Sequence, residues 1–86
     1  MSEYLMTESL DGLSNYDIEI RVVTLTSEKD HLREEMLEAE ANIEENANNR
    51  IIATFLRQMI VKVNTRLSEL IRERNRREVS QRQNQN

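Results

Sequence analysis

The chain contains no proline, and Gly12 is its only glycine. Past residue 12 there is almost nothing to interrupt a helix, so apolar residues recurring at helical spacing imply long helices. At 86 residues there is room for one domain. Tyr4, Tyr16 and Phe55 are all the rings available, and the apolar area to be buried must come from Ile, Leu, Val and Met. So small a core is marginal, and short helical folds commonly gain stability by oligomerising. The fold class expected is all-α.

The first break is Asp11-Gly12. It closes a short N-terminal helix over residues 1–13, capped by Ser2, with Leu5, Met6 and Leu10 on one side and Gly12 in the left-handed conformation. Leu5, Met6, Leu10 and Leu13 also suit a docking segment for another protein. Ser14 then offers an N-cap, with Asp17 three residues on completing a capping box. From there Ile18, Val22, Leu25, Lys29, Leu32, Met36, Ala39 and Ile43 follow at alternating intervals of four and three, a heptad stripe with one polar interruption. The stripe is narrow and suits one partner helix. A strand competes at its start, because Tyr16, Ile18, Ile20 and Val22 alternate with charged residues. Helix from Ser14 is the preferred reading, and a strand over 16–25 followed by a helix capped by Ser27 and Asp30 is the alternative that stays open.

Residues 46–49 read Asn-Ala-Asn-Asn. Asparagine is poor inside helices and good at their ends, so a turn is expected there, between an arm over 14–45 and a second arm over 50–79. The competing possibility is one unbroken helix across both arms. The second arm carries Ile51, Ile52, Phe55, Leu56, Met59, Ile60, Val63, Leu67, Leu70 and Ile71, which at about 100° per residue spread over about half the helix circumference. A helix so widely apolar touches more than one neighbour. Residues 80–86 are Gln and Asn with one Ser and one Arg, and are expected to be disordered.

The net charge of −4 hides a segregation. Residues 28–45 hold eight acidic side chains against Lys29 and Arg33, whereas residues 50–82 hold nine basic side chains against Glu69, Glu73 and Glu78. Folding back at the asparagines lines one seam with opposite charges. Each exposed pair contributes little, about 0–1 kcal/mol, but the pattern selects acidic arm against basic arm. The expected architecture is an antiparallel, coiled-coil-like helical hairpin dimerising into a four-helix bundle, with a short N-terminal segment. A rod-like coiled-coil dimer is the alternative. In outline the bundle resembles the small helical-hairpin dimers of the plasmid copy-control regulator type, in architecture only, since no motif carries over. The residues expected to hold two copies together are Leu56, Met59, Ile60, Val63, Leu67 and Leu70.

Chemistry is sparse. There is no cysteine, hence no disulfide, thiolate site or thiol nucleophile. His31 is the lone histidine, and Glu28 gives it the Glu-x-x-His spacing of di-iron bundles. The further glutamates such a site needs would have to come from the basic arm, whose acids sit near its end. Glu34-Glu35-Met36-Leu37-Glu38 resembles the first acidic motif of all-α nucleotide pyrophosphohydrolases. The second acidic cluster is missing, as no aspartate follows Asp30 and Glu69 is followed one turn later by Arg72. Half a magnesium site does not hold the ion.

The run Arg72-Glu73-Arg74-Asn75-Arg76-Arg77 supports a different class of function. Arg72, Arg74, Arg76 and Arg77 suit phosphate contacts and Asn75 a base edge. In density it resembles a basic leucine-zipper arm, although there the basic region precedes the heptads. The plainer role of such cations is to offset the negative end of a helix dipole. The N-terminus has no secretory pattern, and no stretch approaches the ~18 apolar residues of a membrane span. Taken together, the sequence leads to the expectation of a cytoplasmic, non-enzymatic protein–protein interaction module without cofactor or metal. It would work as a homodimer or helical heteromer that binds another protein, with a small nucleic-acid-binding regulator as the alternative.

Overall fold

The computed structural model describes residues 8–84. They form two long helices, α1 (Asn15–Ala41) and α2 (Asn48–Asn84), preceded by a single 3-10 turn at Leu10–Gly12. Arg57 pairs with Glu40 near the connection, and Arg74 pairs with Glu19 at the far end. That order of partners makes the helices antiparallel. The result is a hairpin rod of 62 × 21 × 15 Å, and no strand occurs among the described residues.

Helix α1 starts where its cap dictates. The Ser14 hydroxyl accepts from the Asp17 N–H at 3.0 Å, and the Asp17 carboxylate accepts from the Ser14 N–H at 3.2 Å. This reciprocal box satisfies donors that the first turn leaves free. It also decides the competition over residues 16–22 in favour of helix, despite their β-branched content. Heptad spacing then sets the buried face. Ile18, Leu25 and Ala39 are buried, and Val22, Lys29, Leu32, Met36 and Ile43 are half-buried.

The connection lies earlier than the asparagine run suggests. Helix α1 stops at Ala41, and α2 begins at Asn48, inside the expected turn of 46–49. Asn42 is the C-cap, its amide donating to the Glu38 carbonyl at 2.9 Å. Asn49 reaches back to the Asn42 carbonyl at 2.8 Å, and the Asn46 side chain accepts from the Asn48 N–H at 3.0 Å. Asparagines do build the turn. They do so with side-chain hydrogen bonds, and no described residue takes a positive φ.

Helix α2 runs on to Asn84. Residues 80–84, expected to be a disordered tail, are helical: polar composition alone does not stop a helix that meets neither glycine nor proline. Of the N-terminal helix expected over 1–13, residues 1–7 with Ser2, Leu5 and Met6 lie outside the described residues. What is described is the 3-10 turn, closed by the Leu13 N–H on the Leu10 carbonyl at 3.2 Å. Gly12 sits in it without a positive φ, so the left-handed closure expected of it does not occur.

This N-terminal segment gives the hairpin a partial third layer. Leu13 joins Ile18, Leu25, Val63, Leu67 and Leu70 in one buried cluster, with Leu10, Val22 and Leu32 packed against it. The side chains at 0–1% exposure include Ile18, Leu25, Val63 and Leu70. Each such burial contributes roughly 1.5–3 kcal/mol. Nearer the turn the seam is filled differently, by Ala39, Ala53 and Leu56. Small residues let the helices approach closely but remove little apolar area from water.

Candidate interaction surface

One flank of the rod differs sharply between its two ends. On α2 the residues Phe55, Met59, Lys62, Arg66, Glu73 and Arg77 are separated by 4, 3, 4, 7 and 4 positions, and so share one side of the helix. On α1, Arg21, Glu28 and Glu35 share one side at heptad spacing, and the C-cap Asn42 continues the series. Glu8 bonds to both helices at once. Its carboxylate accepts from Arg21 and its backbone carbonyl from Arg66. The two flanks therefore face the same way, and the N-terminal segment lies across them.

Arginines hold that segment down. Arg66 is buried at 5% exposure, and besides the Glu8 carbonyl it bonds Glu69 at 3.2 Å. Arg77 donates to the Leu13 carbonyl at 2.8 Å, the Leu10 carbonyl at 3.0 Å and the Asn15 side chain at 3.0 Å, while its Nε donates to Glu73 at 2.9 Å. A planar guanidinium with five donors suits such a job, and lysine could not do it as well. Glu73 also receives Arg76 at 2.6 and 2.9 Å. The Arg76 and Arg77 guanidiniums pull the Glu73 carboxyl down to about 2, and Glu73 in return raises Arg76. At the cap, hydrogen bonds from Ser14 lower Asp17.

The run expected to touch nucleic acid is thus largely engaged within the chain. Arg77 staples the N-terminal segment, Arg76 pairs with Glu73, and Arg74 pairs with Glu19 at 3.5 Å. Arg72 and Asn75 are exposed. Sequence reasoning missed Arg66, Arg21 and Glu8. An arginine on a charged arm reads as solvated, and its partner carbonyl lies 58 residues away.

The six residues expected to join two copies divide as well. Val63, Leu67 and Leu70 belong to the buried cluster inside the chain. Their neighbours are α1 and the N-terminal segment, which account for part of the half-circumference apolar face without a second hairpin. Leu56 is buried at the turn end of the seam, and Met59 and Ile60 are half-buried. The large apolar side chains left exposed are others. Ile51, Ile52, Phe55 and Leu37 lie toward the turn, Tyr16, Ile20 and Val23 on the outer side of α1, and Val61 and Val79 along α2. Glu35, Glu38, Ala39, Asn42, Asn49, Ile52 and Leu56 line an open groove between the helices at the turn end.

His31 is exposed while Glu28 is half-buried, so the Glu-x-x-His spacing does not converge on one interior. No group of three or more potential metal ligands occurs among the described residues. No described helix is long and apolar enough to cross a membrane. No protein-family model, curated protein or solved structure matches the chain.

Proposed function

We propose that the chain is a non-enzymatic protein–protein interaction module that works as a helical dimer, presenting helix faces as an adaptor, assembly factor or inhibitor. One observation carries this. After the hairpin has closed on its own core, Ile51, Ile52, Phe55 and Leu37 remain exposed around a single end of the rod. Scattered apolar residues on a surface are ordinary, but a local concentration marks contact with another chain. Dimerisation at that end would turn the hairpin into a four-helix bundle where its own packing is thinnest.

The residues expected to carry association shift accordingly. Leu56 and Met59 remain next to the uncovered end, while Val63, Leu67 and Leu70 give way to Ile51, Ile52 and Phe55. The nucleic-acid alternative would have to use Arg72 and Asn75 with little help from Arg74, Arg76 and Arg77, which are paired with acids. Its mark would be a mobility shift that fades steeply with salt.

Sedimentation equilibrium of the pure protein at micromolar concentration tests the proposal. The expected mass is at least twice the 10.2 kDa of one chain. A clean monomer, together with salt-sensitive binding to duplex DNA or RNA that is lost on truncation after Ile71, would replace it with the regulator.

A further inference from the structure

Resting on the dimer reading above, we infer that the occupant of the uncovered turn-end flank is the same flank of a second copy. The two hairpins would lie side by side with their turns at one end, and Phe55 of each would enter the groove beside Ala39 of the other.

Three features of the flank carry this. The first is shape. Phe55 stands out from α2 at 59% exposure, and the groove lined by Glu35, Ala39, Asn42, Ile52 and Leu56 opens at the same end of the rod. Phe55 lies two residues before Arg57 and Ala39 one residue before Glu40, and Arg57 and Glu40 are an ion pair. Projection and recess therefore sit within about a helical turn of each other along the axis. A patch that carries both a knob and its hole is self-complementary, as a two-fold interface requires.

Charge then chooses between two-fold arrangements. The α1 rim of the groove carries exposed Glu35 and Glu38, and the α2 rim beyond Phe55 carries exposed Lys62. A two-fold axis parallel to the rods sets α2 of one copy against α1 of the other. An axis across the rods sets α1 against α1 and brings acidic rims together. Glu35 stands five residues before Glu40 and Lys62 five after Arg57, so the two lie at one level. In the side-by-side arrangement Lys62 of each copy faces Glu35 of the other. Like charges in the crossed arrangement would repel.

The third feature is extent. Among the described residues, the N-terminal segment from Glu8 to Leu13 occupies the free-end half of this flank, and Ile52 and Phe55 of the turn-end half stay exposed. Half of a face 62 Å long and 21 Å wide offers about 600 Å² per copy, or about 1,200 Å² in all, at the lower end of stable interfaces. The segment also acts as a stop, confining the contact to the turn end.

Four variants of the full chain test this by sedimentation equilibrium, with helicity followed by circular dichroism: Phe55→Asp, Glu35→Lys, Lys62→Glu and the double charge reversal. The expected results are a wild-type dimer, dissociation strengthened at least about tenfold by Phe55→Asp at unchanged helicity, weaker dimers for each single reversal, and recovery in the double. A Phe55→Asp protein that dimerises as the wild type does would place the dimer on another face, such as Tyr16, Ile20 and Val23. That overturns this inference and leaves the dimer reading standing. A double reversal weaker than either single would overturn the side-by-side arrangement. A wild-type monomer would overturn both, whereas loss of helicity in Phe55→Asp beside a dimeric wild type would show Phe55 packed within its own chain and overturn this inference alone.

Discussion

The free end and the turn end of the hairpin are built from the same two helices, yet they are stabilised by different means. At the free end, Ile18, Leu25, Val63, Leu67 and Leu70 are covered by a third layer through Leu10 and Leu13, and Arg66 and Arg77 bind its carbonyls. At the turn end, Ala39, Ala53 and Leu56 are the buried residues of the seam, Met36, Ile43 and Ile60 are half-buried beside them, and Ile51, Ile52 and Phe55 face water. The described segment from Glu8 to Leu13, which holds one 3-10 turn, makes the difference. Where the chain supplies its own cover, apolar width on α2 becomes core. Where it does not, the same width stays exposed to water, and it is there that we propose a partner docks.

The largest effect that would break the comparison is in the cores. Leu70→Ala, at a site with no exposure, should lower stability by about 3 kcal/mol in urea unfolding. Leu37→Ala at the turn end, where the side chain is 54% exposed, should change it by less than about 0.5 kcal/mol at concentrations where the protein is monomeric. Similar losses at both sites would erase the distinction. Next is the staple. Arg77→Met keeps the aliphatic stem but removes the donors to Leu10 and Leu13, and should cost about 1–2 kcal/mol. Amide exchange should quicken at Leu13, whose N–H closes the 3-10 turn. Arg72→Met, exposed on the same helix, should be nearly silent.

Acid should loosen the free end first. Glu73 titrates at about 2 in the folded chain against an ordinary 4.5, because Arg76 and Arg77 hold it ionised. A carboxylate depressed in this way stabilises the fold fully above its unfolded value and loses that contribution as pH falls toward the folded one. Unfolding midpoints should therefore decline between about pH 4.5 and about pH 2, and Glu73→Gln should flatten the decline. Asp17 at the cap, also lowered, contributes in the same direction. The smallest expected effect is a gain. Gly12 has no positive φ and nothing within 4 Å of where a Cβ would stand. Gly12→Ala should raise stability by about 0.5 kcal/mol by restricting the unfolded chain, and a loss would mean that the third layer needs glycine there.

Much of this fold was legible in the sequence because it is local. The Ser14–Asp17 box and the seven heptad positions from Ile18 to Ala39 are patterns within a few residues. The box closes, and each of the seven positions is at least half-buried, as its spacing requires; Ile43, the eighth, falls beyond the end of α1. The turn was displaced because asparagines occur at 42, 46, 48 and 49, and composition does not say which of them caps and which bridges. The cover over Leu67 and Leu70 was not legible. It depends on Arg66 reaching Glu8 and Arg77 reaching Leu10 and Leu13 across some sixty residues, and no periodicity encodes such a contact. The width of the apolar face on α2 was correctly informative about needing further neighbours, but silent on whether these are the chain's own.

Hydrogen exchange at two protein concentrations probes this division most directly, because it reports both ends of the rod in one experiment. Amides from Ile52 to Met59 should gain protection as concentration rises through the dimer range, while those from Val63 to Leu70 stay protected throughout. Equal protection of the two stretches at every concentration would contradict the account.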